Sequence, residues 1–256
     1  MKIFRKIRLD TLTKVSFSKY IIYAIGEIFL VVIGILIALY LNNKKDISDR
    51  EEKQNNHLVL IKEELENNLI ILKEEDKDLS KIIVNIRDLI NLVNSENLAE
   101  EISELELSGN LFLPLTRGID IDYENAAFKE FSISGSLKDI KNDSLRNFLR
   151  SWDRKIETLK LQEDVVGQSL DKANDFIEVN GSLKTIFDTT GLSETYFEIN
   201  ISSINSGNKQ ILDSRQFENI LIKYLGVATQ LQKKTYQKFK NDIHTLIDLI
   251  EVELNN

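Results

Sequence analysis

One stretch constrains this chain more than any other. From Ile21 to Leu41 the sequence reads IIYAIGEIFLVVIGILIALYL, with Glu27 its single charge. A helix apolar on every face must be covered completely in water, whereas a bilayer covers it without help. At ~1.5 Å per residue the run reaches about 30 Å, the thickness of a hydrocarbon core. A cleaved signal peptide has a shorter apolar region and a small-x-small cleavage site, and Ala38-Leu39-Tyr40 is not one. Tyr20, Tyr23 and Tyr40 fall where interfacial aromatics belong. The sequence therefore predicts three parts: a basic tail over 1–19, a transmembrane anchor over 20–41 and a large domain over 42–256.

Charge divides along the same lines. Residues 1–19 hold six Lys/Arg against Asp10, a net of +5, while residues 42–256 hold 27 basic and 39 acidic residues within a chain of net charge -8. A short basic tail ahead of a first span stays inside. The expectation is an inner-membrane, single-pass protein with a cytoplasmic N-terminus and a periplasmic domain. Orientation stays open, because 15-residue windows on either side of the span each hold four Lys/Arg. So acidic a domain repels polyanions, which argues against nucleic acid as a partner. The expected partners are the lipid bilayer and either a second copy of the chain or another envelope protein. Residues 2–15 set Ile3, Phe4, Ile7, Leu12 and Val15 among basic residues, readable as an interfacial helix or as a disordered tail.

Inside the span, Glu27, Gly34 and Ala38 are spaced by seven and four, so they share one helix face. Gly34-x-x-x-Ala38 is a small-xxx-small pattern that lets two helices approach closely. An intramembrane carboxyl costs on the order of 2–3 kcal/mol or more and turns towards protein or water. Glu27 either meets a partner on this face or snorkels to the headgroups; a proton-relay role is a third reading.

Beyond the span the apolar pattern is helical. Leu58, Leu65, Leu72, Leu79, Ile86 and Val93 stand seven apart, with Ile61, Leu69, Ile82 and Leu89 at the second seam position and an acidic break at Glu74-Glu75-Asp76. A second helix is predicted after Asn142, a good N-cap, with a stripe from Leu145 to Ile177 in which only Glu163 is polar. Asn180-Gly181 ends it. A third helix is predicted from about Asp213, with Gln216 completing a loose capping box. Its stripe runs Phe217, Leu221, Tyr224, Ala228, Leu231, Thr235, Phe239, Ile243, Leu246, Ile250, with a stutter through Phe239. One Pro and ten Gly in 256 residues argue against an all-β fold. The expected fold is mainly α: one transmembrane helix, then an elongated antiparallel bundle of three long heptad helices. A short helix from about Glu124 to Phe131 and small extended patches at Leu111–Tyr123 and Tyr196–Ile201 complete it.

No catalytic constellation stands out. Without Cys, disulfides, zinc ribbons and thiol catalysis are excluded. His57 and His244 have no second ligand at metal spacing and read as surface helix residues. Asp120-x-Asp122 begins like a calcium loop, but Asn125 stands where that loop needs Gly. Ser16-x-x-Lys19 and Ser169-x-x-Lys172 have serine–lysine spacing without companion motifs. Glycine-rich nucleotide loops are missing. The sequence predicts no enzyme, no cofactor and no metal.

The N-terminal block resembles a known family. Phe17-Ser18-Lys19-Tyr20, Tyr23-Ala24-Ile25-Gly26-Glu27-Ile28 and Leu30 to Leu39 are similar to the membrane signature of an uncharacterised group of single-span proteins common in Bacteroidota, catalogued as a domain of unknown function. Ser134-Gly135-Ser136-Leu137 with Ile140-Lys141-Asn142 and Leu145-Arg146 looks like its internal motif, and Phe217–Tyr224 like its last helix. Members carry a Trp soon after the span, where this chain has Asn42-Asn43-Lys44. The resemblance implies an anchored helical domain in a Gram-negative envelope, and supplies no activity. The expectation is a non-enzymatic envelope scaffold or sensor acting through self-association. The alternatives are an accessory subunit of a polytopic complex that uses Glu27, and a ligand-sensing domain.

Overall fold

The computed structural model describes residues 17–119, 121–203 and 207–255. The basic stretch 2–15, Ser16 and Asp120 lie outside them. The fold is mainly α, with no strand among the described residues. Two compact units divide the chain, Met1–Asn56 and His57–Asn256.

The first unit is described from Phe17, where helix α1 (Phe17–Val93) begins. Ile21 to Leu41 are all exposed except half-buried Ala24. The most apolar 18-residue window of α1 has a mean hydropathy of 2.7 and is wholly uncovered. The helix is long and apolar enough to cross a membrane.

In the second unit α1 becomes one wall of a helical bundle. Leu58, Ile61, Leu65, Leu72, Leu79, Ile82, Ile86 and Leu89 are all buried in one continuous core. After α1 come α2 (Glu96–Glu101) and α3 (Glu104–Thr116). Arg117, just past α3, pairs with Glu75 and Asp78, so the chain has turned back along α1. Helix α4 (Ala126–Ile133) follows. Its cap residue Asn125 makes no side-chain cap bond, and Glu64 of α1 replaces it, accepting from Ala127 N at 2.6 Å and Phe128 N at 3.3 Å. A carboxylate at a helix N-terminus also meets the positive end of the helix dipole.

Helix α5 (Asp143–Arg150) is capped by Asn142, whose Oδ1 accepts from Ser144 N and Leu145 N. Helix α6 (Trp152–Asn180) continues after a break at Ser151 and closes at Gly181. A Cβ on Gly181 would stand 2.7 Å from Asn208 Oδ1, so only glycine admits this approach. Asn208 is fully buried there, accepting from Ser182 N at 2.7 Å and donating to Ser182 O at 3.1 Å. Short helices α7 (Leu183–Thr189) and α8 (Leu192–Thr195) lead to an irregular loop, then to α9 (Arg215–Gln230) and α10 (Gln237–Leu254). Between the last two, Leu231–Tyr236 forms a π-helical turn. Ser214 caps α9 by accepting from Phe217 N, so the start lies one residue past the expected Asp213.

Both expected extended patches need correction. Leu111–Thr116 is helical, because Leu107, Leu111 and Leu115 repeat every fourth residue and bury one face. Pro114 is tolerated inside α3 because it sits in the last turn, where only the Asn110 carbonyl forfeits a partner. The short helix expected from Glu124 forms two residues later. Tyr196–Ile201 is an irregular, exposed loop with Glu198 in the left-handed region at φ 55°, and it pairs with nothing as a strand. It is braced from below: Lys184 bonds Asp188 and donates to Asn200 O, and Ser202 N donates to Asp188 Oδ2 at 2.9 Å.

Candidate functional site

The site lies in the second unit, where α1 faces the π-helical turn and α10. Its depth is set by the extra residue of that turn. Along α9 and α10 the buried positions are Phe217, Leu221, Tyr224, Ala228 and Leu231, then Tyr236, Phe239, Ile243, Leu246 and Ile250. The step from Leu231 to Tyr236 is five residues, where an α-helix allows three or four. Tyr236 therefore takes the inward place that the sequence pattern gives to Thr235, and Thr235 is half-buried.

Tyr236 has two roles. Inwards, its hydroxyl donates to Glu163 Oε1 at 3.3 Å, and Tyr123 donates to the same oxygen at 3.4 Å. Both bonds are long for O–H···O contacts. Glu163 is 2% exposed, which explains why a carboxyl interrupts the apolar stripe of α6: it is the acceptor for two buried phenols. Burial first, and the Glu163 carboxyl second, hold both phenols well above their ordinary pKa. At any physiological pH they stay protonated and donate. Tyr224, one of the largest fully buried side chains, is likewise raised by burial alone.

The position of Tyr123 depends on Asn68. This residue is buried on α1 and grips the next residue's backbone, donating to Glu124 O at 2.8 Å and accepting from Glu124 N at 2.9 Å. Trp152 stacks on Phe239 at 5.4 Å, and Tyr123 meets the same ring edge-on at 5.1 Å. An aromatic floor thus underlies the polar cluster.

Outwards, Tyr236 lines a groove of about 350 Å³ with Leu69, Ile70, Leu72, Lys73, Asp76, Gln237, Lys240 and His244. Two bridges between α1 and the C-terminal segment bracket it. Lys62 pairs with Glu251 at 2.6 Å, and Gln232 Nε2 donates to Asp76 Oδ1 at 3.0 Å and Ser80 Oγ at 2.6 Å. Ile70 stands 64% exposed in the groove.

Of the residues singled out in the sequence, His244 reaches this site and His57 does not. His57 is half-buried with its ring 5.7 Å from that of Phe131, so it is a packed residue and not a surface one. Ser169 is buried with its hydroxyl donating to Val165 O of its own helix, which leaves no serine–lysine dyad with Lys172. Among the described residues no group of three or more His, Asp and Glu could hold a metal ion. Glu27, Gly34 and Ala38 lie in the first unit on the exposed stretch of α1, and a Cβ on Gly34 would meet nothing within 4 Å. Sequence reasoning noticed Glu163 as an exception but assigned it no role. Tyr123 and Tyr236 gave no signal, because the π-helical turn that aims Tyr236 inwards has no residue signature. No family model matches the chain, and neither a curated protein nor a solved structure does so.

Proposed function

We propose that the chain is a non-enzymatic, membrane-anchored protein of a Gram-negative envelope. It crosses the inner membrane once through Ile21–Leu41 and acts as a scaffold or sensor by self-association. The observation that carries this reading is the apolar stretch of α1 from Ile21 to Leu41, which is exposed among the described residues. The seam residues of the second unit support it from the other side. Leu58, Leu65, Leu72, Leu79 and Ile86 are buried within one chain, so this seam of α1 is already occupied among the described residues. Self-association then falls to the span, through the face of Glu27, Gly34 and Ala38, where the small residues leave room for a neighbouring backbone. The basic tail supports a cytoplasmic N-terminus, and the similarity of the span to the Bacteroidota family's signature supports the envelope location.

Photo-crosslinking in native membranes tests this, with the reactive residue replacing Ile33 beside Gly34 and products identified by mass spectrometry. Self-crosslinks are the expected outcome. A product with one multi-span protein, and no self-product, would replace this reading with that of an accessory subunit using Glu27.

A further inference from the structure

We propose that the groove between α1 and the π-helical turn is a binding site for a free single-chain anionic amphiphile, a fatty-acyl carboxylate in chemical class. The site lies within the helical unit and does not depend on how the span associates.

Three observations support it. First, the groove joins an apolar bed to a basic rim. Leu69, Ile70 and Leu72 supply the bed together with the ring of Tyr236, and Lys73, Lys240 and His244 stand along the walls. Second, those three basic side chains make no ion pair or hydrogen bond among the described residues. Residues 42–256 hold 39 acidic against 27 basic groups, so this clustering runs against the composition. The one acid in the lining, Asp76, is held by Gln232 and is outnumbered by the two lysines. A carboxylate entering here gains charge-assisted bonds from Lys73 and Lys240, which the fold leaves unpaired among the described residues. Third, the size suits a small ligand such as one acyl chain. About 350 Å³ lies at the small end of small-molecule sites. The Lys62–Glu251 and Gln232–Asp76 bridges join α1 to the C-terminal segment on either side of the groove along α1. One acyl chain lying over Ile70 covers an aliphatic side chain that is otherwise in water, and its head reaches the lysines.

The test uses the full chain in lipid nanodiscs and a dodecanoate carrying a diazirine near the end of its chain, with labelled peptides mapped by mass spectrometry. Label is expected within residues 69–76 and 236–244, competed by unlabelled dodecanoate and not by dodecanol. The double substitution Lys73→Glu, Lys240→Glu is expected to cut labelling at least about tenfold, because two cations are lost and two anions are added. Both lysines are exposed and unpaired, so the melting curve should not move. Ile70→Asp is the second variant; it places an anion in the bed and should also suppress labelling. Label confined to the span peptide, equal competition by dodecanol, or undiminished labelling in both variants would overturn the proposal.

Discussion

Residues 21–41 and 58–93 belong to one helix, α1, yet they solve opposite problems. In the first stretch nearly every position is apolar and exposed among the described residues; Leu36 is 59% exposed. In the second, a stripe of apolar residues recurs every three or four positions and faces inwards, while Val59, Leu60, Ile70 and Val84 lie off it and stay exposed; Leu79 is 0% exposed. The secondary structure is the same, so it is the angular spread of the apolar residues that tells which medium each stretch meets. A narrow stripe asks for protein on one side. An all-round surface asks for a solvent that is itself apolar.

The sharpest way to break this contrast is to make the same substitution in both stretches. Leu79→Ala should lower the unfolding free energy of the helical unit by about 2–5 kcal/mol, through lost burial and a residual cavity. Leu36→Ala should change it by less than ~0.5 kcal/mol. Denaturant titration of the full chain in mild detergent reads both, and equal losses would mean that the span is core and not anchor.

A smaller effect is expected where polarity is buried on purpose. Glu163→Leu leaves the Tyr123 and Tyr236 hydroxyls without their acceptor, at a cost of about 2 kcal/mol. Adding Tyr123→Phe and Tyr236→Phe should return stability to near the starting value, because the whole polar set is then replaced by apolar groups. If the triple variant is no better than the single one, the cluster is not a closed hydrogen-bonding unit.

The smallest effect belongs at the surface, under the loop Tyr196–Ile201. Hydrogen bonding from Lys184, then from Ser193 and the Ser202 backbone, holds the Asp188 carboxyl down at about 2, against an ordinary value of 3.8. A depressed carboxylate favours the folded loop above its ordinary pKa, and that contribution is lost as pH falls from about 4 through about 2. The amide resonance of Ser202, bonded to Asp188, should titrate with a midpoint near 2, and Asp188→Asn should abolish the transition. A midpoint near 4 would show that the brace contributes nothing to the loop.

Much of the helical framework was legible because its determinants are local. Asn142 reads as a cap and accepts two amides, and Asn180-Gly181 reads as a stop and is one. The acidic break at Glu74-Glu75-Asp76 looked like damage to a stripe. In the fold Glu75 holds Arg117 and Asp76 holds Gln232, so the break is where α1 fastens two distant segments. Such pairings join residues 42 and 156 positions apart, and no local pattern announces them. Leu111–Thr116 misled because Pro114 suggests an extended chain, while packing against α6 and α7 makes the helix the better solution. The groove was invisible for the same reason: its walls come from two helices that only the tertiary fold brings together.

The π-helical turn has a consequence for how the molecule tolerates change in length. A loop absorbs an added or missing residue silently, but a helix transmits it as a rotation of about 100° to everything downstream. Leu231–Tyr236 already holds one residue beyond the α-helical count, and that surplus is what lets the stripes before and after it point the same way. The segment works as a phase correction between two rods written in different registers. Substitution within it is a local matter, and loss of a single residue there would shorten the step from Leu231 to Tyr236 to four and leave a plain α-helix in the same phase, whereas loss of a residue within the regular turns of α10 would rotate every core residue after it.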